Sequence, residues 1–196
     1  MTENHSKFTS KCIWFAITMF CLRCFLSGIN LITQFSVYDL YGYAGEAVAF
    51  SAVMMIIYEK WLWKYIPFEK TPVLKKKYTG VVLSTHDGIE REAIIEIKQT
   101  LLSINVVLIT GESRSKSISS SIEKIQDEWQ LTYCYLNVPQ ANVRDRSAIH
   151  YGTALLCIEN PNAIHGQYFT DRKTTGDMKF FPINENVKAD EMTIDK

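Results

Sequence analysis

The segment GQYFTDRKTTGDM, residues 166–178, combines side chains that could bind an anion. In a β-strand, alternate side chains point to opposite faces. One face then carries Gly166, Tyr168, Thr170 and Arg172. The opposite face is richer in charge and is the better candidate for the solvated side. If the first face points into a barrel, the interior holds a cation, and a buried cation requires a counter-ion or an anionic ligand.

Two other segments add tyrosines and hydroxyls to the same interior. In WQLTYCY, residues 129–135, Tyr133 and Tyr135 share a face with apolar residues, and we expect this face to point inward. In SKSISSSIEKI, residues 115–125, four serines share a face whose direction stays open. The candidate ligand-binding residues are therefore Arg172, Tyr168, Thr170, Tyr133, Tyr135 and Ser117.

These residue types predict a small, flat, anionic ligand such as a cyclic nucleotide. Tyrosine and arginine planes stack on nucleobases, and arginine together with hydroxyl donors matches phosphate. The alternative is structural. Arg172 would then pair with an internal carboxylate or stack on a core tyrosine, and the tyrosines would simply fill the interior of a barrel.

Catalysis and metal binding have no comparable pattern. The four histidines, at positions 5, 86, 150 and 165, have no cysteine or carboxylate partners at metal-ligand spacing. A nucleophile elbow and a phosphate-binding glycine loop are also absent from the sequence. We expect a protein that is not an enzyme and has no cofactor and no metal site. The formal net charge of +0 argues against a DNA or RNA polymer as partner.

The positions of these residues depend on about eight short strands with period-two patterning. Glycine-, asparagine- and aspartate-rich connectors separate them, and no convincing helix intervenes. This pattern favours an antiparallel, lipocalin-like eight-stranded β-barrel over residues 78–183, with an open sandwich as the alternative. In the second strand, Ala93, Ile95 and Ile97 are predicted to point inward. The polar segment 138–148 is a candidate lid or oligomer contact.

The N-terminal third has a different composition. Residues 12–32 and 45–66 are apolar and long enough to cross a bilayer core, which takes roughly 20 residues. Lysines precede the first segment and follow the second, whereas the link between them has none, which predicts both termini and the barrel on the cytoplasmic side. The predicted division is a transmembrane hairpin (1–66), a basic linker (67–77), the barrel (78–183) and a disordered tail (184–196).

Arg23 lies inside the first apolar segment, near its middle. A charge in a spanning helix is costly and indicates a function by default. One interpretation is that Arg23 stabilises helices that gather around water. The other is that it snorkels to the interface or is locally hydrated, because the nearest acidic candidates, Glu46 and Glu59, lie toward opposite ends of the second segment.

Both regions together resemble the two-transmembrane, β-strand-rich effectors of CBASS, the cyclic-oligonucleotide-based anti-phage signalling systems of bacteria. The motifs that carry the resemblance are YTG…S (78–84), EIKQTL (96–101), SRSKSISS (113–120), WQLTYCYLN (129–137), HYGTALL (150–156) and GQYFTDRKTTG (166–176).

The resemblance implies that the barrel senses a cyclic di- or trinucleotide made by a cognate nucleotidyltransferase. It also implies that the ligand-bound protein forms a homo-oligomer in the inner membrane, whose transmembrane helices disrupt the lipid bilayer and kill the infected cell. Two other functions remain open at this stage. A membrane-tethered lipocalin-like carrier of a lipid would need a more uniformly apolar interior, and an anchored scaffold without a ligand would have a filled one.

Overall fold

The computed structural model describes residues 3–27 and 36–183. It divides the chain into two compact units, one of residues 1–70 and 100–102 and one of residues 71–99 and 103–196. The first unit is helical and the second is a β-barrel. The predicted disordered tail, 184–196, and the end of the first apolar segment, 28–32, lie outside the described residues.

The helical unit contains two long apolar helices, α1 (Glu3–Leu26) and α2 (Val37–Lys60), followed by a 3₁₀ turn at Leu62–Tyr65. Each long helix has 24 residues. At about 1.5 Å per residue this exceeds the roughly 30 Å of a bilayer core. Both helices are therefore long and apolar enough to cross a membrane. Both helices begin earlier than the apolar pattern indicates, at Glu3 and at Val37. For α2 the reason is that much of the tyrosine-containing segment predicted as a link is itself helical.

A polar cluster joins the two helices to the segment that follows them. Lys11 Nζ donates to Glu69 Oε2 at 2.6 Å, and the Tyr58 hydroxyl donates to the same oxygen at 2.6 Å. Lys11 Nζ also lies 3.0 Å from the Tyr58 hydroxyl oxygen. A carboxylate that accepts two donors in this way stabilises one relative position of α1, α2 and the chain at residue 69.

In the described part of the second unit, eight antiparallel strands close into a barrel in sequence order, with β1 paired to β8. This confirms the predicted fold class. The strands are β1 (Lys77–Ser84), β2 (Glu90–Gln99), β3 (Ile104–Thr110), β4 (Ser113–Ile125), β5 (Glu128–Pro139), β6 (His150–Asn160), β7 (Ala163–Thr170) and β8 (Thr175–Pro182).

The barrel interior follows the alternation of apolar residues. The inward-facing residues predicted for β2 and β5 are confirmed, since Ala93, Ile95, Ile97, Leu131, Tyr133 and Tyr135 are all buried. Phe180 of β8 and Leu156 of β6 are fully buried beside them. Burial of such side chains stabilises the fold by roughly 1.5–3 kcal/mol each.

The serine face of β4 is interrupted by a β-bulge between Ser117 and Ser119. Before the bulge, Ser115 points inward and is buried, and after it Ile122 takes the inward position. The four serines therefore do not form one row along the interior, because the bulge shifts the alternation by one residue. Ser119 is exposed.

We expect Leu131→Ala to destabilise the protein by about 2–5 kcal/mol, because it leaves a cavity in a closely packed interior. Leu131 is 0% exposed. The matched control is Leu155→Ala on the adjacent strand β6, where the leucine is 37% exposed and points outward. Urea unfolding of the full-length protein in detergent, followed by circular dichroism, measures both. Equal losses for the two variants would contradict this assignment of the core.

Candidate ligand-binding site

The candidate site is a cavity of about 270 Å³ at one end of the barrel. Side chains from the β1–β2, β3–β4, β5–β6 and β7–β8 connections surround its opening. These connections meet because every second connection of an up-and-down barrel lies at the same end. The rest of the interior is packed with the core residues. The interior is therefore filled in one part and open in the other.

Tyr135 and Tyr168 line this cavity and are 3% and 8% exposed. Their rings lie against glycines of neighbouring strands. A Cβ atom added to Gly152 would collide with the Tyr135 ring, and one added to Gly176 would collide with the Tyr168 ring. A strand glycine often marks such a close approach. The two glycines thus provide the space in which the tyrosines lie.

Burial keeps the phenols of Tyr133 and Tyr135 neutral. It raises the pKa of Tyr135, with smaller contributions from Tyr168 and Asp171. Burial also raises the pKa of Tyr133, whose ring centroid lies 5.7 Å from that of Tyr135. A neutral phenol can donate a hydrogen bond to an acceptor on a ligand.

Asn137 and two serines form the polar wall of the cavity. Asn137 Nδ2 donates to Ser113 Oγ at 3.1 Å and to Ser115 Oγ at 2.9 Å. The buried Oδ1 of Asn137 has no hydrogen-bond partner among the residues that the structure describes. An unmet buried acceptor is uncommon in folded proteins and is available to a donor on a ligand.

Three arginines are among the described residues that line the cavity: Arg91, Arg146 and Arg172. Arg91 binds Asp87 through two hydrogen bonds, Nη1 to Oδ1 at 3.1 Å and Nη2 to Oδ2 at 2.5 Å. This contact holds the pKa of Asp87 well below its usual range. Arg146 Nη2 donates to Glu112 Oε1 at 2.6 Å.

Arg172 has no carboxylate partner within the described part of the chain. Its Nη1 lies 3.2 Å from Ser147 Oγ, 3.3 Å from the Ala148 carbonyl oxygen and 3.4 Å from His150 Nδ1. Among the described residues it also has no stacked tyrosine, and the structural alternative for Arg172 requires one or the other of these partners. An arginine without a carboxylate partner can still donate charge-assisted hydrogen bonds to an anionic ligand, and these are stronger than its bonds to neutral groups.

The β5–β6 connection, residues 140–149, closes part of the opening. Its Val143 is buried and lines the cavity. The Gln140 amide donates to the Glu112 carbonyl at 2.8 Å. Arg146, within this connection, binds Glu112. Arg172, in the β7–β8 turn, contacts Ser147 and Ala148 of the connection. The connection corresponds to the segment 138–148 that the sequence indicates as a candidate lid or oligomer contact.

The structure brings four of the six predicted ligand-binding residues to the cavity: Arg172, Tyr168, Thr170 and Tyr135. Tyr133 is fully buried in the core outside the cavity lining. Ser117 is not among the lining residues either, and its Oγ accepts a hydrogen bond from the Val106 amide at 2.9 Å. Tyr133 and Ser117 therefore lie outside the cavity lining, the first in the packed part of the interior and the second at the bulge of β4. Their ligand-binding role stays a prediction.

The prediction that Arg172 continues the face of a strand is wrong. Strand β7 ends at Thr170, where the Thr170 amide donates to the Thr174 carbonyl at 2.9 Å and closes a turn. Arg172 therefore reaches the cavity from the rim and remains exposed. Its ligand-binding role is unaffected by this change and stays a prediction.

Sequence reasoning missed Arg91, Arg146 and Asn137, together with Asp87 and Glu112. A usable signal was present for most of them. Once an up-and-down barrel is assumed, the first, third, fifth and seventh connections lie at one end. The charged residues at positions 86–91, 112, 144–146 and 171–173 then belong to one surface.

Arg23 lies in the last turn of α1 and not near its middle. Its Nε donates to Glu46 Oε2 at 2.6 Å, and its guanidinium carbon lies 4.6 Å from the Tyr43 ring centroid. Glu46 is within reach because α2 begins at Val37, which places Glu46 well inside that helix. The side chains of Arg23 and Glu46 remain 42% and 59% exposed.

A closed barrel with a tyrosine-lined cavity and an arginine-rich rim is suited to bind one small anionic ligand. A family model described as Cap15, cyclic dinucleotide receptor domain, matches residues 69–181. This match covers more than half of the chain, so the chain belongs to that family. It is also 29% identical to CD-NTase-associated protein 15 of Staphylococcus schleiferi over 171 residues, which are 85% of this chain and 90% of the relative. Cap15 is a cyclic dinucleotide receptor associated with CBASS, which confirms the family resemblance drawn from the sequence.

We expect Gly152→Ala to displace the Tyr135 ring and to destabilise the barrel by about 1–3 kcal/mol, as overpacking does. The control is Gly111→Ala in the β3–β4 connection, where an added Cβ would meet nothing within 4 Å. Thermal unfolding of the full-length protein in detergent measures both. A Gly152→Ala protein as stable as the control would mean that the close approach of Tyr135 is unimportant.

Proposed function

We propose that the protein is a CBASS effector whose barrel cavity binds a cyclic dinucleotide. The observation that carries this proposal is the combination of a tyrosine-lined cavity with three arginines at its rim. A cyclic dinucleotide has flat bases and two phosphodiesters. Aromatic rings match the bases by stacking, and guanidinium groups match the phosphates through paired hydrogen bonds.

The dimensions of the cavity suit a partly inserted ligand. Pockets that enclose a drug-sized molecule have volumes of about 300–1,000 Å³. The 270 Å³ cavity is slightly smaller. One base would enter between Tyr135 and Tyr168, with the free Oδ1 of Asn137 as an acceptor for a base N–H. The phosphates would stay at the rim beside Arg91, Arg146 and Arg172.

A lipid carrier is less well supported by this cavity. Three arginines and a wall of serine and asparagine would leave polar groups without partners around an acyl chain. An anchored scaffold without a ligand would have a filled interior throughout, and the cavity argues against that function as well.

The effector output would come from the helical unit. We propose that α1 and α2 cross the inner membrane, with both termini and the barrel in the cytoplasm, as the lysine distribution indicates. Ligand binding would favour a homo-oligomer whose helices disrupt the bilayer. The Arg23–Glu46 pair supports this role, because an exposed ion pair in lipid is costly and neighbouring hairpins could cover it.

Coupling of ligand binding to formation of the homo-oligomer requires a minimum free energy. A ligand shifts the balance between resting and assembled states only through its different affinity for them. A change from mostly resting to mostly assembled takes about 5 kcal/mol. Hydrogen bonds to charged groups contribute about 1.5–3 kcal/mol each, so two or three arginine–phosphate contacts that form fully only in the assembled state would suffice.

We expect Arg172→Ala to reduce cyclic dinucleotide affinity by at least about tenfold, since a lost charge-assisted contact costs 1.5–3 kcal/mol. The test is calorimetric titration of the full-length protein in detergent with cyclic di-AMP, cyclic di-GMP and the linkage isomers of cyclic GMP–AMP. The control is Arg114→Ala, an arginine outside the cavity lining that pairs with Glu96. If no member of the panel binds the wild-type protein, the proposed ligand class is wrong.

We also expect removal of residues 1–66 to abolish killing of the host cell, because that deletion takes away both apolar helices. Cell viability after induction of the truncated chain together with an active cyclic-dinucleotide synthase measures this. Full-length Arg172→Ala, expressed at the same level, is the control for loss of ligand sensing. A truncated protein that still kills would contradict the membrane mechanism.

A further inference from the structure

Two carboxylates lie at the cavity rim and would repel an anionic ligand, whereas the arginines there would attract it. Asp87 and Glu112 both line the cavity, and each already binds one of its arginines. They would repel a phosphate if they stayed in place beside it. A phosphate that binds Arg91 or Arg146 must therefore either displace the carboxylate or share the guanidinium with it.

The geometry of the first pair favours displacement. Asp87 uses both carboxylate oxygens on the two terminal nitrogens of Arg91, at 3.1 and 2.5 Å. These are the same nitrogens that a phosphate would engage side by side. Asp87 Oδ1 also accepts the Ile89 amide at 3.1 Å, which holds the carboxylate in the β1–β2 connection. The protein thus carries its own anion at a place where a phosphate would bind.

A second carboxylate–arginine pair, with a single contact, joins two other connections. Glu112 belongs to the β3–β4 connection and Arg146 to the β5–β6 connection, and their contact is 2.6 Å long. Glu112 also acts electrostatically on Arg91. Arg172 differs, since it has no carboxylate partner among the described residues. Of the three arginines, Arg172 is therefore available to an anion, whereas Arg91 and Arg146 are each paired with a carboxylate.

We propose that Asp87 and Glu112 are specificity residues that act as built-in competing anions and lower the affinity of Arg91 and Arg146 for the phosphates of a ligand. This rests on the proposed function of the cavity. A cyclic mononucleotide can bind Arg172, but its single phosphate cannot replace both carboxylates. A cyclic dinucleotide has two phosphates and can exchange more than one internal ion pair for an ion pair with the ligand. The exchange of Glu112 for phosphate also releases Arg146 from the β3–β4 connection.

Asp87→Asn and Glu112→Gln test this in the full-length protein. Both substitutions remove the charge and keep the shape, and an asparagine can still accept the Ile89 amide. The control is Asp127→Asn, which breaks the Lys124–Asp127 pair in the β4–β5 turn. The probes are inorganic pyrophosphate, cyclic GMP and the cyclic dinucleotide panel, titrated calorimetrically at constant ionic strength.

We expect pyrophosphate to bind Asp87→Asn and Glu112→Gln about fivefold or more tightly than it binds the wild-type protein or the control. We also expect the preference for a cyclic dinucleotide over cyclic GMP to rise, because the second phosphate then no longer has to displace a carboxylate. Weaker binding in either variant would overturn the proposal, because the carboxylates would then orient the arginines. Unchanged binding, or no pyrophosphate binding by any of the proteins, would overturn it too.

The same data separate this proposal from the proposed function. If a cyclic dinucleotide binds the wild-type protein and the two variants bind it more weakly, the receptor function stands and the competition is wrong. If no cyclic dinucleotide binds but the variants gain affinity for pyrophosphate, the competition stands and the ligand class is wrong.

Discussion

Closure of the barrel is the constraint on which the rest of the barrel unit depends. Pairing of β1 with β8 removes both sheet edges and gives every strand one inward face. It requires a close approach at Gly80, where an added Cβ would collide with the Lys179 carbonyl. It also places four of the connections in one ring. Arg91, Arg146 and Arg172 come from three of the distant sequence segments in that ring and meet only because the sheet closes.

Side-chain size then decides where the closed barrel is filled and where it is open. Leu131, Tyr133 and Phe180 fill the interior in its packed part. Toward the opening, the inward positions belong to small residues such as Ser84, Ser115 and Thr110. Gly152 and Gly176 add further space, which the rings of Tyr135 and Tyr168 partly occupy. A cavity of about 270 Å³ remains. One chain thus obtains stability from one part of its interior and a binding site from the other.

The sequence predicted the barrel well because period-two alternation is a local property. About eight strands are predicted over residues 78–183, and eight strands lie between Lys77 and Pro182. The errors arise where a single residue shifts the inward–outward alternation of a strand, ends a strand, or changes the partner of a side chain. The bulge after Ser117 reversed the faces of β4, and the turn after Thr170 moved Arg172 from a strand to the rim. Pairing partners such as Asp87 and Arg91 depend on side-chain geometry, which alternation does not encode.

Electrostatic pairing at the rim explains how a protein with a formal net charge of +0 can still be suited to an anion. The positive charge of the rim arginines is local, and Asp87 and Glu112 partly neutralise it. A phosphate that replaces such a carboxylate exchanges one ion pair for another, so the net gain per phosphate is smaller than for an unpaired arginine. A ligand then gains substantial affinity only when several contacts form together. That condition favours a doubly charged, flat molecule and disfavours the abundant singly charged anions of the cell.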